Sequence, residues 1–582
     1  MSEDLQYRRH KSQSKGRMGF TTVIFFLVFS LYTSQLVRIQ AIEAEELAQR
    51  GLEKRLREVV VPAMRGAITD SNGIALASTV PAYDITVDQT RVIEPNQTAK
   101  ALAPILNLDV KLIKSRLIGD KRFNFLARSV TSQTWEKVAS LSLPGIYSER
   151  TTRRVYPYAD LAGNVIGFVG TDGHGLAGLE AGMENTLAGQ DGLLRYEGGA
   201  AGRRIPATDS RTEQAIPGTT IRLSIDRDLQ FIAQNAIAAK VEEVNADWGT
   251  VVVLEPQTGR ILALASVPTV NLSQPLQSDI ADRKNRAVTD MFEPGSTGKI
   301  MIFAAALEEG VITPTSKIEV PPRLSRPTKV FHDHTPHGHL KLTANGVLAQ
   351  SSNIGTILIA EKLSSPNLMH DYYVKFGIGQ KTSLGFPGES AGAMLTPSQW
   401  SVTTFPTMSF GQGYATTAVQ MASVFATIAN DGVRMPVSLV DGYVGSDGIF
   451  KPVESKPGVR VVSPDTAITL RKMLESVVSS NGTAPSAQIN GYCVAGKTGT
   501  AQRSDQSCGG CYQGYTASFI GMAPANDPKV VVAVIVDNPR KGHFGGVIAG
   551  PVFREVTAFA LQKLKVMPQG GRVEKIPTTW GR

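Results

Sequence analysis

Residues 293–310 read EPGSTGKIMIFAAALEEG. Pro294 and Gly295 interrupt the chain before Ser296, the run from Ile300 to Leu307 is apolar, and Gly310 is a stop signal. That pattern predicts a helix starting at Ser296. On such a helix Ser296 and Lys299 stand at i and i+3 and share a face, which puts the lysine amine beside the serine hydroxyl. A serine hydroxyl is a weak nucleophile until a neighbouring base takes its proton. A lysine serves as that base when burial or a nearby cation lowers its pKa. The first helical turn adds unpaired N–H groups suited to a developing oxyanion. S-x-x-K alone is a common pattern, and a helix start capped by a serine accounts for it equally.

Two further clusters follow. Ser351-Ser352-Asn353 stands in AQSSNIGTILIA, and Lys497-Thr498-Gly499-Thr500 in VAGKTGTAQ. A Lys-Thr-Gly on a strand sets a cation and hydroxyls beside a cleft, and the glycine is expected to leave room for a substrate along the strand edge. Strand side chains alternate, so Lys497 and Gly499 face one way and Thr498 and Thr500 the other. Lys497 is therefore expected beside Ser351, with the threonines at the substrate. Around these clusters TTIRLSID reads as a strand and RDLQFIAQNAIAAKVEEV as an amphipathic helix. GTVVVLEPQTGRILALASV reads as two strands joined by a turn, KVVVAVIVDNP as a strand and FREVTAFALQKLK as a helix. The expectation is an α/β (α+β) domain over residues 218–567, followed by a flexible tail, 568–582.

The chain has 582 residues, 42% hydrophobic and 19% charged, which supports a packed core and excludes a mostly disordered protein. Its 3 cysteines exclude a disulfide scaffold. The formal net charge of +9 is spread out, with no long Lys/Arg block, which argues against a nucleic-acid partner. Met18 to Val37 carries no charge and, as a helix, spans about 30 Å, the thickness of a hydrocarbon core. Arg8, Arg9, Lys11, Lys15 and Arg17 precede it; Glu43, Glu45 and Glu46 follow. The positive-inside rule makes residues 1–17 a cytoplasmic tail and 18–38 a single transmembrane helix, with the remainder outside. A cleavable signal peptide would have a shorter apolar run and a small-residue cleavage site, and neither is present.

Residues 39–58 are charged at helical spacing and read as a continuation of the anchor helix. Residues 39–217 together read as an elongated pedestal of mixed α/β character. Four tracts there draw attention: RGAITDSNGIALA from Arg65, RRVYPYADLAGNVIGFVG from Arg153, GLAGLEAGME from Gly175 and GRRIP from Gly202.

S-x-x-K, S-x-N and K-T-G, in that order in an extracytoplasmic α/β domain, resemble the penicillin-binding protein and serine β-lactamase superfamily. RGAITDSNGIALA resembles the class B tract R-G-x-I-x-D-R-x-G-x-x-L-A, with Ser71 where arginine is usual. SFGQGYATTAVQMA from Ser409 resembles that class's glycine-rich segment, and FGGVIAGPVFREV the division-type Y-G-G-x-x-A-x-P-V-F. Over residues 18–565 the chain is similar to class B penicillin-binding proteins of the FtsI cell-division type.

The resemblance implies a penicillin-binding transpeptidase domain behind a dimerisation-type pedestal. Ser296 would be the acylated nucleophile and Lys299 its base, with Ser351 and Asn353 relaying protons and holding substrate. Lys497, Thr498, Gly499 and Thr500 would form the strand side of the cleft and bind the stem peptide's terminal carboxylate, and the N–H groups of Ser296 and Thr500 the oxyanion hole. The implied activity is a D,D-transpeptidase that cross-links peptidoglycan stem peptides at the septum, releases D-Ala and is acylated by β-lactams. No cofactor is implied. Implied partners are the membrane, an FtsW-like glycosyltransferase and other divisome proteins, and the implied place is the inner (cytoplasmic) membrane at the septum. The alternatives are a lateral-wall transpeptidase and a β-lactam sensor; a cytoplasmic part of about 17 residues leaves a sensor little signalling machinery.

His332, His334, His337 and His339, with Asp333, have the residue types of a metal site. The competing reading, favoured here, is a polar loop ahead of S-x-N, with no metal. Cys508 and Cys511 form C-G-G-C, which outside the cell suits a small disulfide loop. Cys493 is left as a buried strand residue.

Overall fold

A computed structural model describes residues 3–197, 211–505, 511–568, 570 and 575–581. The chain divides into two compact units. The first comprises residues 1–63 and 190–216. Its helix Glu3–Val37 contains the uncharged run, and the segment Gly16–Ile42 is long and apolar enough to cross a membrane. The helix expected through residue 58 is interrupted by a wider π turn, Arg38–Ile42, and ends at Arg55. Leu56–Val61 is instead a strand, paired antiparallel with Gly192–Glu197. The reason is Val59-Val60-Val61, a β-branched run that fits a pleated surface better than a helix.

The second unit comprises residues 64–189 and 217–582. Its centre is a five-stranded antiparallel sheet ordered Ile261–Val267, Trp248–Leu254, Val530–Asp537, Cys511–Ala523, Ala495–Asp505. The first three strands are buried or nearly so along their whole length, as their continuous valine, isoleucine and leucine runs require. Alternate residues feed opposite layers. Val251 and Val253 pack with Leu229 and Ile237 of helix Arg227–Glu243 and with Val552 and Phe553 of helix Gly545–Lys563. Val252 and Leu254 join the cluster that holds Met421 and Phe425 of helix Ala418–Ala429. The Lys497 strand is an edge of this sheet.

A second sheet crosses the boundary expected at residue 217. Thr220–Leu223 pairs in parallel with Ile68–Thr69 of the RGAIT tract and, on its other side, with Val440–Val444. Three of the four tracts meet in a buried charge cluster. Glu180, fully buried, accepts from Arg65 Nε at 2.6 Å and Arg154 Nε at 2.7 Å, and Arg65 also bonds Glu184 at 2.6 Å. The GRRIP tract, 202–206, lies outside the described residues.

The tail is not loose throughout, contrary to the expectation for 568–582. Thr579 bridges Leu342 antiparallel, extending the two-stranded sheet Lys317–Val320/Leu340–Thr343. An exposed strand edge is a template for exactly such pairing, and local composition does not reveal it.

Candidate active site

Ser296 lies in a 3₁₀ turn, Gly295–Gly298, and the α-helix begins only at Lys299. The expected helix start is thus shifted by one turn. The turn is tight because Gly295 N donates to Gly411 O at 2.8 Å and Thr297 Oγ1 donates to Pro294 O at 2.7 Å. Lys299 is buried, as is the helix Lys299–Glu308 all round from Lys299 to Ala306.

The amine of Lys299 donates to Ser351 O at 2.6 Å, Asn353 Oδ1 at 2.8 Å and Ser351 Oγ at 3.3 Å. Lys497 Nζ donates to the same Ser351 Oγ at 2.8 Å and to Thr498 O and Oγ1 at 3.3 Å. Both lysines are fully buried. Burial pushes the Lys299 amine down to about 7, with Asp333 opposing. Burial also pushes the Lys497 amine well below the lysine range, and the neighbouring Lys299 charge adds to this.

Ser351 has φ +59°, the left-handed conformation, which turns the chain between helices Ala344–Ala349 and Asn353–Lys362. Ser352 caps the second helix, its Oγ accepting from Gly355 N at 2.8 Å. Asp333 reinforces that cap. Its Oδ1 accepts from Asn353 N at 2.5 Å and Ile354 N at 2.9 Å, and its Oδ2 from Ser352 Oγ at 2.6 Å. His337 Nε2 lies 2.9 Å from Asp333 Oδ2. The histidine-rich segment therefore supplies the S-x-N helix with an anionic cap. Sequence reasoning grouped Asp333 with a possible metal site and missed this; a strand and a helix, Leu340–Thr343 and Ala344–Ala349, separate Asp333 from the helix it caps, so no local pattern signals the contact.

Ser296, Ser351, Asn353, Thr498 and Thr500 line one cleft of about 610 Å³, with Gly545 and Gly546 on its wall. Lys299 and Lys497 lie beneath its floor. Thr498 Oγ1 is 2.9 Å from Thr483 Oγ1, and Thr500 Oγ1 accepts from Gly545 N at 3.2 Å. Gly499, expected to make room for substrate, is required by packing. A Cβ there would stand 2.3 Å from Ser518 Oγ and 3.0 Å from Pro294 O, against the nucleophile turn. Asn481 and Thr483 also line the cleft, from a loop whose sequence carries no motif.

Cys511 is disulfide-bonded, and Cys508 lies outside the described residues. Cys493 is free and half-buried just before the Ala495–Asp505 strand rather than in it. Burial pushes its thiol up.

The arrangement offers a cleft hydroxyl, Ser296, three residues before a buried amine whose pKa burial lowers to about 7, and a second hydroxyl, Ser351, held by two amines. That is the equipment for acyl transfer through serine. Residues 249–558 match the penicillin binding protein transpeptidase domain, and residues 60–223 the penicillin-binding protein dimerisation domain. The chain is 35% identical to the penicillin-binding protein PbpB of Mycolicibacterium smegmatis, over 96% of this chain and 90% of that protein. It is 32% identical to the peptidoglycan D,D-transpeptidase FtsI of Escherichia coli K12, over 96% of this chain and 94% of that one. Penicillin binding protein 3 of Mycobacterium tuberculosis, solved with aztreonam, is 32% identical with a TM-score of 0.71, covering 90% of this chain and 100% of that one.

Proposed function

Because the chain belongs to the penicillin-binding protein transpeptidases, with both the dimerisation and the transpeptidase domain, we propose that it is a serine D,D-transpeptidase that cross-links peptidoglycan stem peptides. The observation that carries this reading is the Ser351 hydroxyl shared by two buried lysines, with Ser296 in the same cleft.

In this mechanism neutral Lys299 takes the Ser296 proton as Oγ attacks the penultimate D-Ala carbonyl. The N–H groups of Ser296 and Thr500 hold the tetrahedral oxyanion. The proton passes through Ser351 to the departing amine of the terminal D-Ala, leaving an ester on Ser296. An amine of a second stem peptide then attacks that ester by the reverse route. Lys497 orients Ser351, and Asn353 holds the Lys299 amine and the substrate backbone. Thr498 and Thr500 meet the terminal carboxylate. A β-lactam acylates Ser296 in the same way, but its leaving amine stays tethered to the acyl group.

Met18–Val37 anchors the protein once in the cytoplasmic membrane, with the N-terminus inside and the catalytic domain outside. Residues 39–217 serve as its pedestal and 218–567 as its catalytic domain. The similarity to FtsI-type relatives supports septal duty beside an FtsW-like glycosyltransferase and other divisome proteins. The test is covalent labelling with a fluorescent penicillin. The parent protein should label and Ser296→Ala should not, at unchanged melting temperature. Labelling that survives in the alanine variant refutes the assignment of the nucleophile.

A further inference from the structure

The C-terminal residues 576–580 reach the active site by one short path. Three consecutive tail carbonyls are gripped by two side chains and one backbone amide. Asn345 Nδ2 donates to Ile576 O at 3.0 Å, Thr343 Oγ1 to Pro577 O at 2.6 Å and Thr343 N to Thr578 O at 3.1 Å. Pro577 has no N–H to satisfy, which suits a segment bonded through its carbonyls. Beyond them Trp580 N donates to Lys341 O at 3.2 Å, and its ring lies 5.2 Å from the amines of both Lys317 and Lys341. A glycine stands at 346 because a Cβ there would meet Thr578 O at 1.8 Å.

Thr343 is also the cap of helix Ala344–Ala349, its hydroxyl accepting from Gly346 N at 3.0 Å. The same hydroxyl therefore joins the tail to the helix. At the other end of that helix, Ser351 N donates to Leu348 O at 3.2 Å and Ser352 N to Val347 O at 3.0 Å. A helix of 6 residues bonded at both ends transmits a shift at its start to its finish. Without the tail, Thr343 N loses its acceptor and Leu340–Thr343 reverts to a two-stranded sheet, which is marginal alone.

We propose that residues 576–580 are a strap that positions Ser351 between Lys299 and Lys497 for acylation. The proposal rests on the role given to Ser351 above. Thr343, Asn345 and Trp580 are positioning residues, since none of them lines the cleft.

The experiment compares the full chain with a variant ending at Pro568, with Trp580→Ala and with Trp580→Phe. Acylation by a fluorescent penicillin is followed over a range of concentrations, which separates the non-covalent Kd from the acylation rate constant. Rates are normalised to titrated active sites, so unfolded molecules do not count. Truncation and Trp580→Ala should lower the rate constant about ten- to a hundredfold, with Kd within about twofold. Trp580→Phe keeps a ring over the two lysines and should restore the rate. A peptide of residues 575–582 added to the truncated protein should also restore it. An unchanged rate constant per site in Trp580→Ala, or a loss carried wholly by Kd, overturns the strap. If the truncated chain does not fold, the two Trp580 variants decide the question alone. Ser351→Ala distinguishes the two possible failures. If it acylates at the parental rate, the reading of Ser351 has failed; if it is slow while the tail variants are fast, only the strap has failed.

Discussion

Lys299 and Lys497, on different elements, place their amines on one oxygen, the Oγ of Ser351, at 3.3 and 2.8 Å. Two buried ammonium groups this close repel each other, and the Lys299 charge holds down the Lys497 amine beyond the effect of burial. The pair therefore titrates as a unit, and its mean charge at neutral pH is less than two.

The pH dependence of acylation follows from this. Lys299 must be neutral to accept the Ser296 proton, and burial has brought its amine down to about 7. The acylation rate should rise about tenfold per pH unit on the acid side and level off above about pH 7. Stopped-flow acylation across that range tests it, and a flat profile would remove Lys299 as the base. Lys299→Ala should cost about 10²–10⁴-fold. Stability has a linked sign. The folded pKa lies below the unfolded value of about 10.4, so between the two the unfolded chain binds more protons, and this residue's contribution to stability rises with pH.

Ser351→Ala should leave both lysines buried without their shared acceptor. A hydrogen bond to a charged group contributes about 1.5–3 kcal/mol, so acylation should fall roughly ten- to a hundredfold, with a smaller change in melting temperature. If the melting temperature fell as steeply as the rate, Ser351 would be a packing residue and not part of the proton path.

Thr498 lies in the cleft with its hydroxyl 2.9 Å from that of Thr483. Thr498→Val keeps the shape and removes the hydroxyl. Acylation by carboxylate-bearing β-lactams should slow, and a donor peptide amidated at its C-terminus, already a poor substrate, should lose little more. Equal losses on acid and amide would show that Thr498 does not read the carboxylate.

Glu180 is enclosed with two guanidiniums, those of Arg65 and Arg154. Removing one member of a buried ion cluster costs about 3–5 kcal/mol, because the remaining charges stay buried and unpaired. Glu180→Ala should therefore lower the urea midpoint of the folded protein strongly, while penicillin acylation per folded molecule stays near the parental value. A midpoint within error of the parent would mean the cluster is solvated and structurally idle.

Local pattern alone determined a good deal of this protein. The uncharged run of Met18–Val37, the continuous apolar runs within Trp248–Leu254 and Ile261–Val267, and the motifs at Ser296, Ser351 and Lys497 each span only a few neighbouring residues. Period and turn chemistry act at that range, so these features are legible in the sequence. The alternation argument also placed Lys497 against Ser351, where it lies.

Tertiary structure decided whatever depends on partners far apart in the chain. Lys299 meets Ser351 across 52 residues and Lys497 meets it across 146, and only the folded core brings the two amines together and buries them, which depresses both. The same holds for Asp333 as a cap on the Asn353 helix, for Gly499 as a packing requirement, and for Thr220–Leu223 joining the sheet of the RGAIT tract. Ile576–Trp580 looked like loose tail because its few residues show neither helical nor strand periodicity. It is ordered by donors and an open strand edge more than 230 residues earlier, at Lys341, Thr343 and Asn345. Hydrogen-bond satisfaction and burial depend on who the neighbours are, and a linear pattern does not carry that information.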